Sequence, residues 1–286
     1  MMVFCLMSMN GFGQKFYVSL NAGFSTDSDP SVFIGNSSNA TDYYPILHLL
    51  MPGYVTYGTG IRYGGTAGYA ISKKFFFEIE GSYFSSVVLT GAGTNWYHNV
   101  YEAAFNISSS AKTWCFTPII KYNLRRIYLS PYISIGMPIL TGGSITNEAT
   151  ITTKYSLYNY TRNTSLYLYG GSSLGFKISG GMEFHVYDNI SFLFNLNYTS
   201  LKWSPTHGKL TKYIFNGIDS LGLLSVSQKE FNLSRSASAN PYYLLPITSV
   251  PTTIDGSIND FSYIGFNVGI KYQFAIKKKK EEGEKK

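Results

Sequence analysis

The stretch YIGFNVGIKYQF, from Tyr263 to Phe274, limits what this chain can fold into more than any other. Ile264, Phe266, Val268, Ile270, Tyr272 and Phe274 share one parity, and Gly265, Asn267, Gly269, Lys271 and Gln273 share the other. A period of two belongs to a β-strand with one apolar side. The same alternation recurs seven times upstream, over 16–25, 61–71, 75–83, 114–123, 127–137, 174–186 and 190–199. The strand at 263–274 is then the eighth of a set, and its expected neighbour is the first, Phe16 to Ser25.

The connections between these runs are of two kinds. Ser72 to Lys74, Leu124 to Arg126 and Tyr187 to Asn189 are polar three-residue links suited to tight turns. They alternate with long stretches at about 26–59, 87–112, 138–173 and 201–262, rich in Ser, Thr, Asn, Gly and Tyr, which read as loops. Every long loop therefore falls at the same end of the strand set. Pro118 and Pro131 sit within runs that should be paired, so a bulge or a lost ladder bond is expected at each.

Alternation alone does not say which face points inward, because a soluble ligand-binding barrel has the same period. Composition decides between them. Charged residues make up only 14% of the chain, against about 25% in soluble domains, while aromatics reach 17%. The polar faces carry Gly, Ser, Thr and Asn with a few charges of both signs, which suits a crowded interior better than open water. No apolar run reaches the ~18 residues of a membrane helix, so a chain with these faces spans a membrane only as a closed set of strands. Tyr63, Tyr83, Trp114 and Tyr198 would then mark one interface, and Tyr69, Phe75, Tyr122, Tyr272 and Phe274 the other.

The eight alternating strands, the Gly-rich polar faces and the closing GFNVGIKYQF resemble the OmpA-type family of small, porin-like outer-membrane barrels. The resemblance covers residues 14–276. It implies an all-β fold, a transmembrane eight-stranded antiparallel up-and-down barrel. It also implies a Gram-negative outer membrane, long extracellular loops and both termini in the periplasm. The last strand would be read by the barrel-assembly machinery through Gly265, Tyr272 and the terminal aromatic Phe274, although Ala275 to Lys286 extend past it. Residues 1–13 look like the apolar core and cleavage region of a short secretory signal, with Gly11 and Gly13 at the small-residue positions. Residues 277–286 form a charged periplasmic tail.

The net charge of +7 is no nucleic-acid signal. The tail holds six Lys and three Glu, +3 of the total, and the remaining +4 is spread thinly without a basic face. Of the two cysteines, Cys5 lies in the leader, so Cys115 has no partner and no disulfide framework is expected. No metal-ligand cluster or nucleotide motif occurs, and no cofactor is expected; the Gly-rich 57–65 is strand and loop.

Seven charges fall on the inward faces: Arg62, Glu78, Glu80, Lys121, Lys177, Glu183 and Lys271. In a narrow lumen they must pair, so they read as a structural ion network, with a proton or ion path as the sharper alternative. Gly265 and Gly269 mark crowded lumen positions. Some barrels of this size are lipid-modifying enzymes that use His with Ser and an acid. Here His48, His98 and His207 fall in loops, and His185 faces inward near the periplasmic end, so no catalytic residue is assigned. The loops, with apolar patches at Ile46 to Met51 and Tyr242 to Pro246, suit adhesion or partner docking.

The expected function is that of a non-enzymatic structural or surface-interaction protein. Its expected partners are outer-membrane lipids and lipopolysaccharide, the assembly machinery and proteins met by the loops. A narrow porin or a transport or secretion accessory is the alternative, and a lipid-modifying enzyme comes third. Loops of variable sequence with no fixed ligand are the plainer reading of the same stretches.

Overall fold

The computed structural model describes residues 16–28, 54–97, 101–124, 128–155, 159–187, 189–234, 248–256 and 258–274. The expected leader, the charged tail, the two apolar patches, Cys5, His48, His98, Arg125 and Arg126 lie outside these residues. In chain order the strands are β1 (Phe16–Asp27), β2 (Tyr54–Thr56), β3 (Gly60–Ala70), β4 (Phe75–Ser86), β5 (Leu89–Tyr97), β6 (Tyr101–Asn123) and β7 (Leu129–Gly136). There follow β8 (Ile139–Tyr155), β9 (Asn159–Tyr169), β10 (Ser173–Leu174), β11 (Phe176–Tyr187), β12 (Ile190–Ser200), β13 (Lys202–Trp203) and β14 (His207–Phe215). The last five are β15 (Ile218–Asp219), β16 (Glu230–Ser234), β17 (Thr252–Asp255), β18 (Ile258–Asp260) and β19 (Tyr263–Phe274).

Eight strands join edge to edge in a closed ring, β1–β3–β4–β6–β7–β11–β12–β19 and back to β1, each step antiparallel. Each of the eight alternating runs of the sequence supplies one strand of it. The closing strand meets the first from Phe16↔Phe274 to Asp27↔Tyr263, as the alternation implied. The apolar faces point out: Leu20 is 74% exposed and Ile133 63%. The polar faces point in and are buried, among them Ser19, Thr66, Thr117, Ser134 and Lys271. An apolar band around a whole ring exceeds what a water-soluble monomer exposes, so the solvent matched to this surface is itself apolar.

One expectation about connections is narrowed and another needs correction. Of the two outcomes expected at the prolines, each loses its ladder donor and neither makes a bulge: Pro118 stays opposite Ile79 and Pro131 opposite Met182 in unbroken registers. The fixed φ of proline is compatible with a strand and its carbonyl still accepts. Pro118 receives the Met137 amide at 3.1 Å and Pro131 the Leu124 amide at 2.8 Å. The larger correction concerns 87–112, 138–173 and much of 201–262, which are strands and not loops. β5, the first half of β6, β8, β9, β14, β16 and β17 carry the sheet beyond the ring as a tall wall. On the opposite side β1, β3 and β19 stop at the ring, and a small sheet of β13, β18 and β2 lies at that level.

The wall escaped the sequence reading because its polarity is reversed. Along β6 the odd residues point inward throughout, but Phe105, Ile107 and Ala111 are apolar while Thr113, Thr117 and Lys121 are polar. The even residues point outward and change the other way, from Asn106, Ser108, Ser110 and Lys112 to Trp114, Phe116 and Ile120. The exchange has a structural mark on three neighbouring stretches. β6 shifts register against β8 between Lys112 and Trp114. Gly142 in β8 takes φ +62°, and Gly170 and Gly171 between β9 and β10 take +80° and +77°, values natural only to glycine. The wall closes over a core of Phe84, Phe105, Leu140, Ile145, Leu166, Leu168, Trp203 and Phe261, set above the ring.

Candidate functional site

The inward charges of the ring divide into two levels. Toward the short-turn end, Lys271 Nζ lies 2.6 Å from Glu183 Oε1, and Lys121 Nζ lies 3.2 Å from Glu78 Oε1 and 3.8 Å from Glu183 Oε2. The Tyr17 hydroxyl donates to Glu78. Lys121 also sits 4.0 Å over the Tyr132 ring and Lys271 4.2 Å over that of Tyr17, contacts that favour a desolvated cation. One level higher, Lys177 Nζ donates to both Glu80 oxygens at 2.7 and 2.9 Å. Lys121 and Glu78 join the neighbouring strands β6 and β4, whereas Lys121–Glu183, Lys271–Glu183 and Lys177–Glu80 join strands that are not paired with each other and so cross the interior.

The cavity beside the network is small. The cavity bounded by Tyr17, Glu78, Lys121, Tyr132, Lys177 and Leu193 measures about 30 Å³, space for a water or two and for no chain of them. Gly269 lines the same space, and a Cβ there would fall 2.6 Å from the Leu20 carbonyl oxygen, while one at Gly265 would meet Asn197 and Tyr263 at 3.1 Å. Both glycines are therefore as crowded as the sequence suggested.

Arg62 departs from expectation. Among the described residues it has no carboxylate within ion-pair distance; its guanidinium lies 3.5 Å over the Tyr263 ring and 4.1 Å from that of Phe84. Phe84 belongs to the wall core. Arg62 thus separates the polar interior from the apolar core, and stacking on rings replaces the missing anion. His185 also differs from the sequence reading, which gave it no serine or acid neighbour. Nε2 lies 3.1 Å from Ser130 Oγ, and Nδ1 lies 2.9 Å from Ser191 Oγ and 3.8 Å from Glu183. Ser130 is 0% exposed and Ser191 6%, and the group sits at the short-turn end.

The outward aromatics form rows. Tyr63, Tyr83 and Trp114 stand opposite one another on β3, β4 and β6 with ring centroids 5.2 and 5.0 Å apart. At the other end Phe75 pairs with Tyr122 at 5.0 Å, and Phe274 lies 5.0 Å from Tyr272 and 6.2 Å from Phe16. Phe274 and Tyr272, expected to carry the assembly signal, are thus outward residues of the seam between last strand and first.

In the core beneath the wall, the side chain of Tyr57, just after β2, is buried and 2.6 Å from Ser109 Oγ, which in turn donates to Asn147. Burial pushes the Tyr57 hydroxyl up to about 12, with the Ser109 hydrogen bond pulling the other way. The outward face of the wall is polar and ordered in rows. Lys112, Ser144, Tyr169 and His207 stand side by side on β6, β8, β9 and β14, with Ser110, Thr146, Tyr167 and Lys209 in the next row. Tyr169 stacks between Tyr167 at 5.5 Å and His207 at 5.4 Å. His207, expected in a loop, is therefore part of an aromatic shelf. Tandem Ser, Thr and Asn at alternate positions of 102–112 and 144–154 was the signal that could have revealed this face.

No group of three metal-ligating side chains occurs among the described residues. None of their helices is long and apolar enough to cross a membrane, which says nothing of strands.

A closed ring with an apolar outside and a charged, filled inside is the arrangement of a protein that crosses a membrane with strands. The chain belongs to the outer membrane protein beta-barrel domain family, whose model matches residues 1–218. The family implies the outer membrane of a Gram-negative cell. No curated protein sequence matches the chain. Among solved structures it is similar to the Neisserial surface protein A, at 9% identity and a TM-score of 0.35, covering 92% of this chain and 98% of that one. It is also similar to Ail, the attachment invasion locus protein of Yersinia pestis, at 9% identity and a TM-score of 0.26, covering 92% and 99%. The translocator domain of the autotransporter NalP from Neisseria meningitidis follows at 9% and 0.20, covering 93% and 90%. Likenesses of this size carry no argument about function.

Proposed function

We propose that the ring is an eight-stranded transmembrane barrel, closed to solutes, that holds the wall outside the cell as an adhesive or partner-docking surface. The observation that carries this reading is the exchange of polarity on β6 between Lys112 and Trp114. Trp114 and the apolar residues beyond it match lipid, and the polar outward face of the wall matches water, so the wall must project from the bilayer. The short turns and both described ends of the ring, Phe16 and Phe274, then face the periplasm. The cavity beside the ion network, with about 30 Å³ of room, supports a structural plug over a conduction path. His185 is partly exposed, but both of its serine neighbours are buried, which supports binding over catalysis. Tyr272 and Phe274, at the seam between the last strand and the first, suit recognition by the assembly machinery.

Lys154 is exposed at the far end of β8, and Lys154→Cys tests the orientation. A membrane-impermeant maleimide should label this variant in intact cells; labelling only after lysis defeats the outward reading. Planar bilayers containing the pure protein should show no stable conductance of nanosiemens size, and a reproducible one overturns the closed lumen.

A further inference from the structure

The outward face of the wall holds a groove that the reading above does not use. Two connected hollows of about 390 and 470 Å³ share Ser108 and Glu148. The lower one is lined by Lys112, Ser110, Ser144, Thr146 and Tyr167, and the upper one by Asn106, Thr150 and Thr90. The groove starts one outward position above Trp114, where the apolar band ends, and climbs β6 and β8 away from it.

Its chemistry is that of a sugar site. Hydroxyls, an amide and one carboxylate line the slot, and they offer both donors and acceptors to vicinal hydroxyls. Tyr167, 38% exposed, and Tyr169, 39% exposed, give an aromatic shelf at the base, the kind of flat surface on which a sugar ring packs. Charge is graded along the slot. Lys112 is the one cation lining the two hollows and stands at their foot, nearest the apolar band, while the rows at Asn106–Thr150 and Ala104–Thr152 carry no cation. Within the slot itself, which ends below Lys154, a free glycan has no reason to meet a cation only at the foot. A glycan rooted in the bilayer does, because its phosphates lie next to the acyl chains and its neutral sugars rise above them.

We propose that this groove binds the phosphorylated oligosaccharide of a glycolipid in the same leaflet. Lys112 would contact a phosphate, Tyr167 would stack on an inner sugar, and Glu148 and Asn106 would bond the hydroxyls of the next sugars. The site rests on the outward orientation of the wall, and the maleimide test at Lys154 decides that orientation independently of any sugar.

The probe is the phosphorylated oligosaccharide freed of acyl chains from the cell's own outer-leaflet glycolipid, titrated into the detergent-solubilised full chain and followed by saturation-transfer NMR. Binding should weaken about tenfold or more in Tyr167→Ala and stay unchanged in Tyr187→Ala, an exposed tyrosine at the opposite end of the ring. Enzymatic removal of phosphate from the probe should weaken binding to the parent chain, and Lys112→Ala should make the two probes equal. Each variant is first checked for the mobility shift of unboiled samples. Equal binding by the parent and Tyr167→Ala overturns the site. So does capture of intact glycolipid in nanodiscs with no binding of the freed oligosaccharide, since the acyl chains alone would then be held.

Discussion

β6 passes through two environments without a break in its pairing. Between Thr113 and Asn123 it turns polar side chains inward and apolar ones outward, and between Glu102 and Lys112 it does the reverse. The lower half belongs to the ring and the upper half to the wall. The backbone ladder is the same in both, so hydrogen bonding does not distinguish them; the solvent does. The wall gains from water by burying Trp203, Phe231, Phe261 and Leu166, at about 1.5–3 kcal/mol for each large side chain removed from water. The ring has no such gain on its outside, where lipid is as apolar as Leu20 or Ile133. It holds together through closed pairing with no free edge and through ion pairs that cross the lumen.

Removing one partner of the lumen network should break this comparison most severely. Glu183→Gln leaves Lys271 buried without its anion, and the ring should lose about 3–5 kcal/mol. The temperature at which the unboiled gel shift disappears reads this loss, while hydrogen exchange at Leu166 and Leu168 in the wall should hardly change. A shift temperature equal to that of the parent would mean that the network does not hold the ring.

Matched charge insertions sharpen the contrast between the two outer faces. Leu20→Lys puts a cation in the middle of the apolar band and should cost about 2–4 kcal/mol in folding into bilayers. Asn232→Lys on the outward face of the wall should stay within about 0.5 kcal/mol. Urea titration in lipid vesicles measures both, and similar costs would remove the distinction between lipid-facing and water-facing surface.

The smallest expected effect lies at the boundary itself. Gly142→Ala forces a Cβ onto a residue at φ +62°, which should cost about 1–2 kcal/mol. The loss should appear in exchange of the amides of β8 and β9 above it and leave the ring below untouched. Uniform loosening of both regions would show that the boundary is not a joint between them.

The ring was legible because lipid and lumen impose opposite demands on adjacent residues. Phe16, Val18 and Leu20 against Tyr17, Ser19 and Asn21 mark a strand, and eight such runs with few charges and Gly-, Ser- and Thr-rich polar faces select the membrane reading. The pairing of Lys271 with a lumen carboxylate was legible too, since a buried cation needs an anion. Arg62 was not, because nothing in the order of residues places the rings of Phe84 and Tyr263 on either side of it. The wall was partly legible and was missed. Ile145, Ala149 and Ile151 alternate with Thr146, Thr150 and Thr152, yet so much Ser and Thr beside glycine reads as loop when apolar residues are sought. Asn216 and Gly217, both at positive φ, give a two-residue hairpin turn between β14 and β15 and were a local signal of strand in that stretch.

The sequence by itself determined the strand period, the number of ring strands, the polarity of each face and the short turns between them. These follow from side chains one and two positions apart, and the alternation states them directly. Only the tertiary structure decided that three long connections rise as a single wall, that Arg62 stacks instead of pairing, and that Lys112, Tyr167 and Glu148 share one groove. Those outcomes depend on which distant strands lie side by side. Register is fixed by the closing of the whole sheet, and no local pattern records it.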